Sequence, residues 1–201
     1  MVDFTQSLEN VTISHQHLTH PQSVEGTAVS VASALSATIT LRHGFIEAAA
    51  NTNPGTFRIF GSPNANTDES WHHILDIDVF DGTPASEALT ATEPVAETVL
   101  ACASTTGFVA KDLIYVQDAG AAADSEWHSV DLIVANTNVT IMMGLTNQKD
   151  SSDFIFSDAQ NFQVEIDCAG WSRLRVDFSH EGATGANCAV EGFINIATDL
   201  E

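Results

Sequence analysis

The sequence predicts an all-β protein, an antiparallel β-sandwich of jelly-roll or immunoglobulin-like topology that is interrupted by an inserted small β-barrel. Apolar and polar residues alternate with a period of two through much of the chain, which is typical of half-buried strands. Clusters of Gly, Pro, Asn and Asp separate these runs. No window has the 3.6-residue period of a long amphipathic helix. At 201 residues the chain is long enough to bury a sizeable core.

The first part of the chain changes character near residue 26. Residues 1–25 are polar and without sustained alternation, so we expect an N-terminal arm that is ordered only by a neighbour. Clear alternation then predicts strands at 37–42, 57–61 and 73–79, separated by polar turns. These strands form the first half of the sandwich, over residues 26–92.

A break rich in Ala, Thr and Glu at 81–97 is followed by shorter strands. Four of them are predicted, at 99–103, 113–116, 127–134 and 139–143. Their turns recur every 8–12 residues, as in small antiparallel barrels. We therefore place the inserted barrel at residues 96–158.

Longer strands return near the end of the chain, at 162–168, 174–178 and 190–196. Each has one apolar face and needs a partner layer to cover it. We expect them to pair with the first set, so that the sandwich comprises residues 26–92 together with 160–201.

The charge balance excludes some classes of function. Six basic residues against 27 acidic ones give a net charge of −21, which repels phosphate backbones, so we expect no nucleic-acid partner. Such a composition is typical of proteins adapted to saline surroundings and also of ordinary acidic surfaces. No apolar run approaches ~20 residues, and Met1–Thr5 does not resemble a signal peptide, so we expect no membrane partner.

Residues for catalysis are scarce. The sequence has no nucleophile elbow and no phosphate-cradling glycine loop. Ser125, Glu126 and His128 are the nearest approach to a triad. In a strand, Glu126 and His128 would share one face while Ser125 points to the other. We predict that the protein is not an enzyme.

Metal-ligating residues do not complete a recognised spacing. His15 and His17 would share a face of a strand and could chelate a metal, but no Cys or carboxylate nearby completes the set. Four acidic residues of the barrel segment match no calcium-loop motif: Asp112, Asp118, Asp124 and Glu126. The three cysteines are expected to be small buried residues. We predict no metal site and no cofactor.

Five residues are candidate contacts to a partner: His15, His17, His20, Arg173 and Arg175. The histidines lie in the predicted arm. The two arginines hold a third of the positive charge and share the outer face of one strand. They would meet an acidic partner or a copy of this protein. Alternatively, they pair across strands with acidic residues of the same chain: Glu165, Asp167 or Glu191.

Three stretches of the barrel segment form a pattern: ASTTGFVAKDLIYV at 103–116, DSEW at 124–127 and VTIMMGLT at 139–146. This pattern resembles a small β-barrel module in structural proteins of tailed bacteriophages, especially marine ones, which usually carry Gly where Lys111 stands. The stretch 171–178, before the Gly-Ala-Thr-Gly turn at 182–185, resembles the arginine-bearing strand that ends the same proteins. The resemblance covers roughly residues 97–197.

The resemblance implies a virion structural protein and brings no catalytic residues. We expect a capsid decoration or cement protein, made in the host cytoplasm and placed on the virion exterior, because an interior position would set its negative charge against packaged DNA. Its partners would be copies of itself and other virion proteins, either the major capsid protein or a tail protein. The first alternative is a tail or head-to-tail protein.

The second alternative is a carbohydrate-binding module or adhesin. Such sites generally need exposed aromatic side chains, and the chain offers few: Trp71, Tyr115, Trp127 and Trp171. The alternation places Trp71 with His73 and Leu75 on the apolar face of its strand, which counts against this alternative.

Overall fold

A computed structural model describes residues 10–19, 21–48, 55–66, 70–180 and 187–197. These residues form antiparallel strands and one single-turn 3-10 helix, Ala122–Asp124. The strands are β1 (Asn10–Leu18), β2 (Ser23–Val24), β3 (Val29–Ser30), β4 (Ser36–Phe45), β5 (Thr56–Ser62), β6 (His72–Asp78), β7 (Ser86–Ala88), β8 (Val99–Ala101), β9 (Leu113–Gln117), β10 (Glu126–Val134), β11 (Asn138–Ile141), β12 (Phe154–Phe156), β13 (Gln160–Asp167), β14 (Arg173–Ser179) and β15 (Cys188–Ala197). The all-β prediction is confirmed. Within the described ranges, no helix is long and apolar enough to span a membrane.

Two sheets pack face to face as a sandwich. The first has the order β1-β15-β4-β13, and the second has the order β2-β14-β5-β6, with β3 beside β14. The alternation of buried residues along β4 turns Ile39 and Leu41 toward the second sheet, where Phe57 and Val176 meet them. Burying each side chain of this size contributes about 1.5–3 kcal/mol, so the core between these sheets is a major source of stability.

Strand β1 lies within residues 1–25, where the sequence predicts an arm without structure of its own. Instead, Asn10–Leu18 pairs with β15 of the same chain and buries Ile13 and Leu18. Register shifts on both sides of Ile13 interrupt the alternation, which is why the period-two pattern does not show this strand. Residues 1–9 lie outside the described part.

The third sheet has the order β7-β12-β9-β10-β11-β8 and is built from residues 86–156. It is curled, and its two ends meet where Leu89 pairs with Cys102. The concave side holds its own apolar cluster, which includes Leu100, Ile114 and Val130. We call this layer the curled sheet. The boundaries of the predicted sandwich and inserted barrel remain predictions.

Strand β6 differs from its predicted orientation. A β-bulge opposite Ile59 and Phe60 shifts the register of the strand. As a result, Ile74 and Ile77 pack against the sandwich core, whereas Leu75 is exposed. The prediction that Trp71, His73 and Leu75 lie on the apolar face is wrong, because a bulge cannot be seen in the alternation of residue types. Trp71 instead lies beneath the guanidinium groups of Arg173 and Arg175 on the outer face.

Candidate functional site

Tyr115 joins the curled sheet to the outer face of the four-stranded sheet. It lies on β9 and is fully buried. Its ring covers Gly44 of β4, where an added Cβ would stand 2.8 Å from the ring. Ala189 of β15, the cross-strand neighbour of Gly44, belongs to the same apolar cluster as Tyr115. Small residues on β4 and β15 therefore create the space that this ring fills.

Two histidines of strand β1 form hydrogen bonds with the hydroxyl of Tyr115. The Nε2 atoms of His15 and His17 lie 2.8 Å and 2.7 Å from it. Both histidines point the same way because they are two residues apart on β1. The ring of Trp127 packs against His15 at 4.6 Å and against Tyr115 at 4.7 Å between centroids. We call His15, His17, Tyr115 and Trp127 the junction cluster.

The junction cluster is uncharged at neutral pH. Burial, together with the smaller effects of the charges of His17 and Arg42, lowers the pKa of His15 to about 4. Burial also lowers the pKa of His17, with Asp118 acting in the opposite direction, and it raises the pKa of Tyr115 well above its usual range. A neutral hydroxyl donates one hydrogen bond and accepts others. One imidazole therefore accepts from Tyr115 while the other donates to it.

Arg173 and Arg175 are placed side by side on β14 by the same two-residue period. Both guanidinium groups lie over the ring of Trp71, at 4.8 Å and 4.7 Å from its centroid. Arg175 also forms ion pairs with Asp177, at 2.9 Å, and with Glu25. Nε of Arg173 donates to the backbone carbonyl of Asn64 at 2.9 Å.

The expected cross-strand partners of these arginines lie elsewhere. Glu165 and Glu191 are on β13 and β15, which belong to the other sheet of the sandwich, and Glu191 pairs with Arg42 at 2.6 Å. The alternation of β14 shows which face the arginines occupy but not which strands flank β14. Pairing of Arg173 or Arg175 with these acidic residues is therefore not what the structure shows.

Three of the four arginines share the outer face of the five-stranded sheet. Arg58 is the cross-strand partner of Asp177, and Phe60 is the partner of Arg175. Arg58, Arg173 and Arg175 are half of the six basic residues in a chain of net charge −21. We call the set Arg58, Phe60, Trp71, Arg173 and Arg175 the arginine face. His20, the remaining predicted contact, lies outside the described residues.

Glu126 and Lys149 form a buried ion pair inside the curled sheet. Lys149 is 0% exposed, and its Nζ donates to Glu126 at 2.9 Å and to the carbonyl of Asp124 at 2.6 Å. The backbone N–H groups of Thr146 and Asn147 donate to the carboxylate of Glu126 at 2.8 Å and 2.9 Å. Each charge is thus held by several partners.

His128 belongs to the same network. Its Nε2 lies 3.1 Å from Glu126, on the shared strand face that the alternation predicts. Burial disfavours the charge of Glu126, but hydrogen bonds from His128, Thr146 and Lys149 outweigh it and hold its pKa well below the usual range. Ser125 accepts a hydrogen bond from the backbone N–H of Asp118 at 2.8 Å. The arrangement supports the loops and does not resemble a nucleophile with its base.

The acidic residues considered for calcium are dispersed. Asp118 accepts hydrogen bonds from the backbone N–H groups of Gly120 and Ala121, both at 2.8 Å. Asp124 offers its backbone carbonyl to Lys149, and Glu126 is neutralised by the same lysine. No group of three or more His, Cys, Asp or Glu positioned for a metal occurs within the described ranges.

Sequence reasoning missed both Tyr115 and Lys149. Tyr115 stands in an apolar run 98 residues from His17. Lysine is almost never fully buried unless it is paired, and its partner Glu126 is 23 residues away. Residue type and spacing contain no signal for either contact.

Comparisons with known proteins give distant similarities only. No protein-family model matches the sequence, and no curated protein matches it significantly. A solved structure of VP17, a capsid protein of bacteriophage P23-77, aligns over 98% of this chain and 100% of its own, with 8% identity and a TM-score of 0.21. A structure of the infectious bursal disease virus Gx strain aligns over 98% and 81%, with 11% identity and a TM-score of 0.23. At these values the likeness indicates neither a family nor a shared function.

Proposed function

We propose that this protein is a virion structural protein of a tailed bacteriophage, which decorates or cements the outside of an assembled head. The resemblance of residues 97–197 to phage structural modules supports this function, and the all-β architecture is compatible with it. The observation that carries the proposal is the arginine face. It gathers half of the basic residues of a strongly acidic chain on one side of one sheet.

The chemistry of the arginine face suits contact with an acidic protein surface. Arginine and aromatic residues are enriched at protein interfaces, and guanidinium groups bind carboxylates in a bidentate manner. The aromatic ring of Trp71 holds Arg173 and Arg175 in position, which lowers the entropy lost on binding. The rest of the chain repels acidic partners, so this face sets the orientation in which they bind.

A second surface supports contacts between copies. Val99 and Leu132 both lie opposite Thr140 across three neighbouring strands of the curled sheet, and Val134 is two residues beyond Leu132. All three apolar side chains are exposed. Exposed apolar patches on a sheet face are typical of protein interaction sites. We propose that copies of this protein and the major capsid protein cover the two surfaces.

Many weak contacts of this kind act together on a symmetric shell. Each copy that binds at two surfaces links its neighbours, and the second contact forms at a high effective concentration. The negative charge of the exterior would keep decorated particles apart in solution. The mechanism is mechanical and requires no catalytic residue.

The experiment is size-exclusion chromatography with light scattering, with and without empty capsids that lack this protein. We expect co-elution with capsids, and the mass gained gives the copy number. Rings or tubes formed without capsids would favour a tail protein instead. If the protein neither co-elutes with capsids nor forms rings or tubes, the virion proposal is overturned and a glycan-binding assay becomes the next test.

Variants locate the contact. Arg58→Gln with Arg173→Gln should weaken capsid binding about tenfold or more, because both charges face the partner. Lys111→Gln is the matched control, since Lys111 is an exposed cation on the curled sheet that pairs with Asp131 at 2.8 Å. Equal loss of binding in both variants would mean that charge in general, and not the arginine face, determines binding.

A further inference from the structure

We propose that His15, His17 and Tyr115 bind a divalent transition-metal ion, Zn²⁺ or Cu²⁺, which clamps strand β1 to the curled sheet. Three donor atoms already converge: two imidazole Nε2 atoms within 2.8 Å of one phenol oxygen. Imidazole nitrogen is the preferred protein ligand of both ions, and the phenol provides an oxygen ligand of the kind they also accept. The proposal is independent of the proposed role in the virion.

Both distances to the phenol oxygen are slightly shorter than the distance between two ligands of one metal ion. Ligands around a tetrahedral Zn²⁺ with bonds of 2.0–2.1 Å stand about 3.3 Å apart. The Nε2 atoms of His15 and His17 lie 2.8 Å and 2.7 Å from the hydroxyl of Tyr115, so each pair must separate by about half an ångström. Because His15 and His17 are only partly buried, their side chains can move outward while the ring of Tyr115 stays against Gly44.

The chemistry of metal entry balances without any further reactant. The ion bonds to the oxygen of Tyr115 and to both Nε2 atoms: the phenol becomes a phenolate and releases one proton to solvent, and the imidazole that donated from Nε2 carries its proton on Nδ1 instead. Each imidazole keeps one ring proton, on Nδ1, and offers the lone pair of Nε2 to the ion. Water supplies the fourth ligand, since both histidines are only partly buried.

The surroundings hold the ligands in place and favour a cation. Pairing of β1 with β15 fixes the backbone of both histidines, and Trp127 packs on the ring of His15 at 4.6 Å. Asp118 interacts electrostatically with His17. The net charge of −21 concentrates divalent cations near the surface. The result is a positioned set of two neutral imidazoles and one ionisable phenol, oriented by their neighbours and lying in a negative field.

The test uses the full chain, freed of metal with a chelator and titrated with ZnCl₂ by calorimetry. We expect one ion per chain and a higher melting temperature with Zn²⁺. His15→Gln with His17→Gln should weaken binding at least tenfold. His72→Gln with His73→Gln is the matched control, because these adjacent histidines are exposed on β6 and should not contribute.

Cu²⁺ identifies the ligands directly, even if the double variant fails to fold. Electron paramagnetic resonance of the Cu²⁺-loaded wild type should show hyperfine coupling to two imidazole nitrogens. A visible phenolate-to-copper charge-transfer band should be present and should disappear in Tyr115→Phe. The proposal is overturned if no stoichiometric ion binds, if the two histidine variants bind equally, or if the copper spectrum lacks imidazole nitrogen.

Discussion

The ring of Tyr115 lies against Gly44 so closely that a Cβ at residue 44 would stand 2.8 Å from the ring carbon Cγ. This contact joins two layers of the molecule, the four-stranded sheet and the curled sheet. Tyr115 reaches the backbone of β4 only because residue 44 has no side chain. The same ring carries the hydroxyl that holds His15 and His17, so one close approach positions the whole junction cluster.

Gly44→Ala should therefore destabilise the protein by about 1–3 kcal/mol, the usual cost of overpacking a filled site. The neighbouring ring cannot move away easily, because Tyr115 is fully buried. Gly82→Ala is the matched control, since its added Cβ would meet Phe45 at an ordinary 3.4 Å. Urea unfolding of both variants measures the difference. Equal stabilities would show that the two sheets are not tightly joined at Tyr115.

Tyr115→Phe should cost about 1 kcal/mol in chelator-treated buffer, because it keeps the ring and removes the hydroxyl that bonds two histidines. The loss stays modest because His15 and His17 are only partly buried and water can replace the lost partner. Denaturant unfolding without metal isolates this effect from metal binding. A cost of several kcal/mol would indicate that the variant disturbs packing as well as hydrogen bonding.

Lys149→Met should destabilise the protein by about 3–5 kcal/mol, because it leaves the carboxylate of Glu126 buried without its cation. The double variant Lys149→Met with Glu126→Gln should recover part of this loss, since the uncompensated charge is then gone. Lys111→Met, at an exposed lysine, should stay within about 0.5 kcal/mol of the wild type. If Lys149→Met left the free energy of unfolding unchanged, other groups would have to compensate the charge of Glu126. Chemical denaturation at pH 7 measures all three.

Much of the fold follows from the sequence because a period of two reveals which residues share a strand face. Strands such as β4, β5 and β14 have an uninterrupted apolar face, and the alternation locates them. The alternation does not predict strand β1, because register shifts break its pattern. It also does not predict β7 and β12, because three residues are too few to show a period. Local pattern therefore predicts long regular strands and fails at bulges and short edges.

The candidate sites are less predictable, because they depend on which strands become neighbours. The shared face of His15 and His17 follows from their spacing, but their partner is 98 or more residues away in another sheet. Likewise, the spacing of Arg173 and Arg175 gives their common face, while sheet order decides that Trp71 covers them. A single sequence shows which side chains share a strand face, but it does not show which distant residues they contact.

His43 should make the protein less stable in mild acid. It is fully buried beside Phe45, with ring centroids 4.9 Å apart, and neither ring nitrogen has a hydrogen-bond partner in the described part of the chain. Burial, together with a smaller effect of the neighbouring His180, lowers its pKa to about 3. The unfolded chain, with a pKa near 6.5, binds the proton that the folded chain rejects.

The sign of the pH dependence follows from this difference in proton binding. Between about pH 6.5 and pH 3 the unfolded state holds more protons, so the free energy of unfolding falls as the pH falls, by about 2 kcal/mol at pH 5. His43→Leu removes the titrating group, so the free energy of unfolding of this variant should fall less steeply between pH 7 and pH 5 than that of the wild type. Between pH 7 and pH 8 the two proteins should keep a constant difference, because the imidazole is neutral in both states. Urea unfolding at these pH values measures the slopes, and parallel curves from pH 7 to pH 5 would show that His43 is protonated in the folded protein as readily as in the unfolded chain.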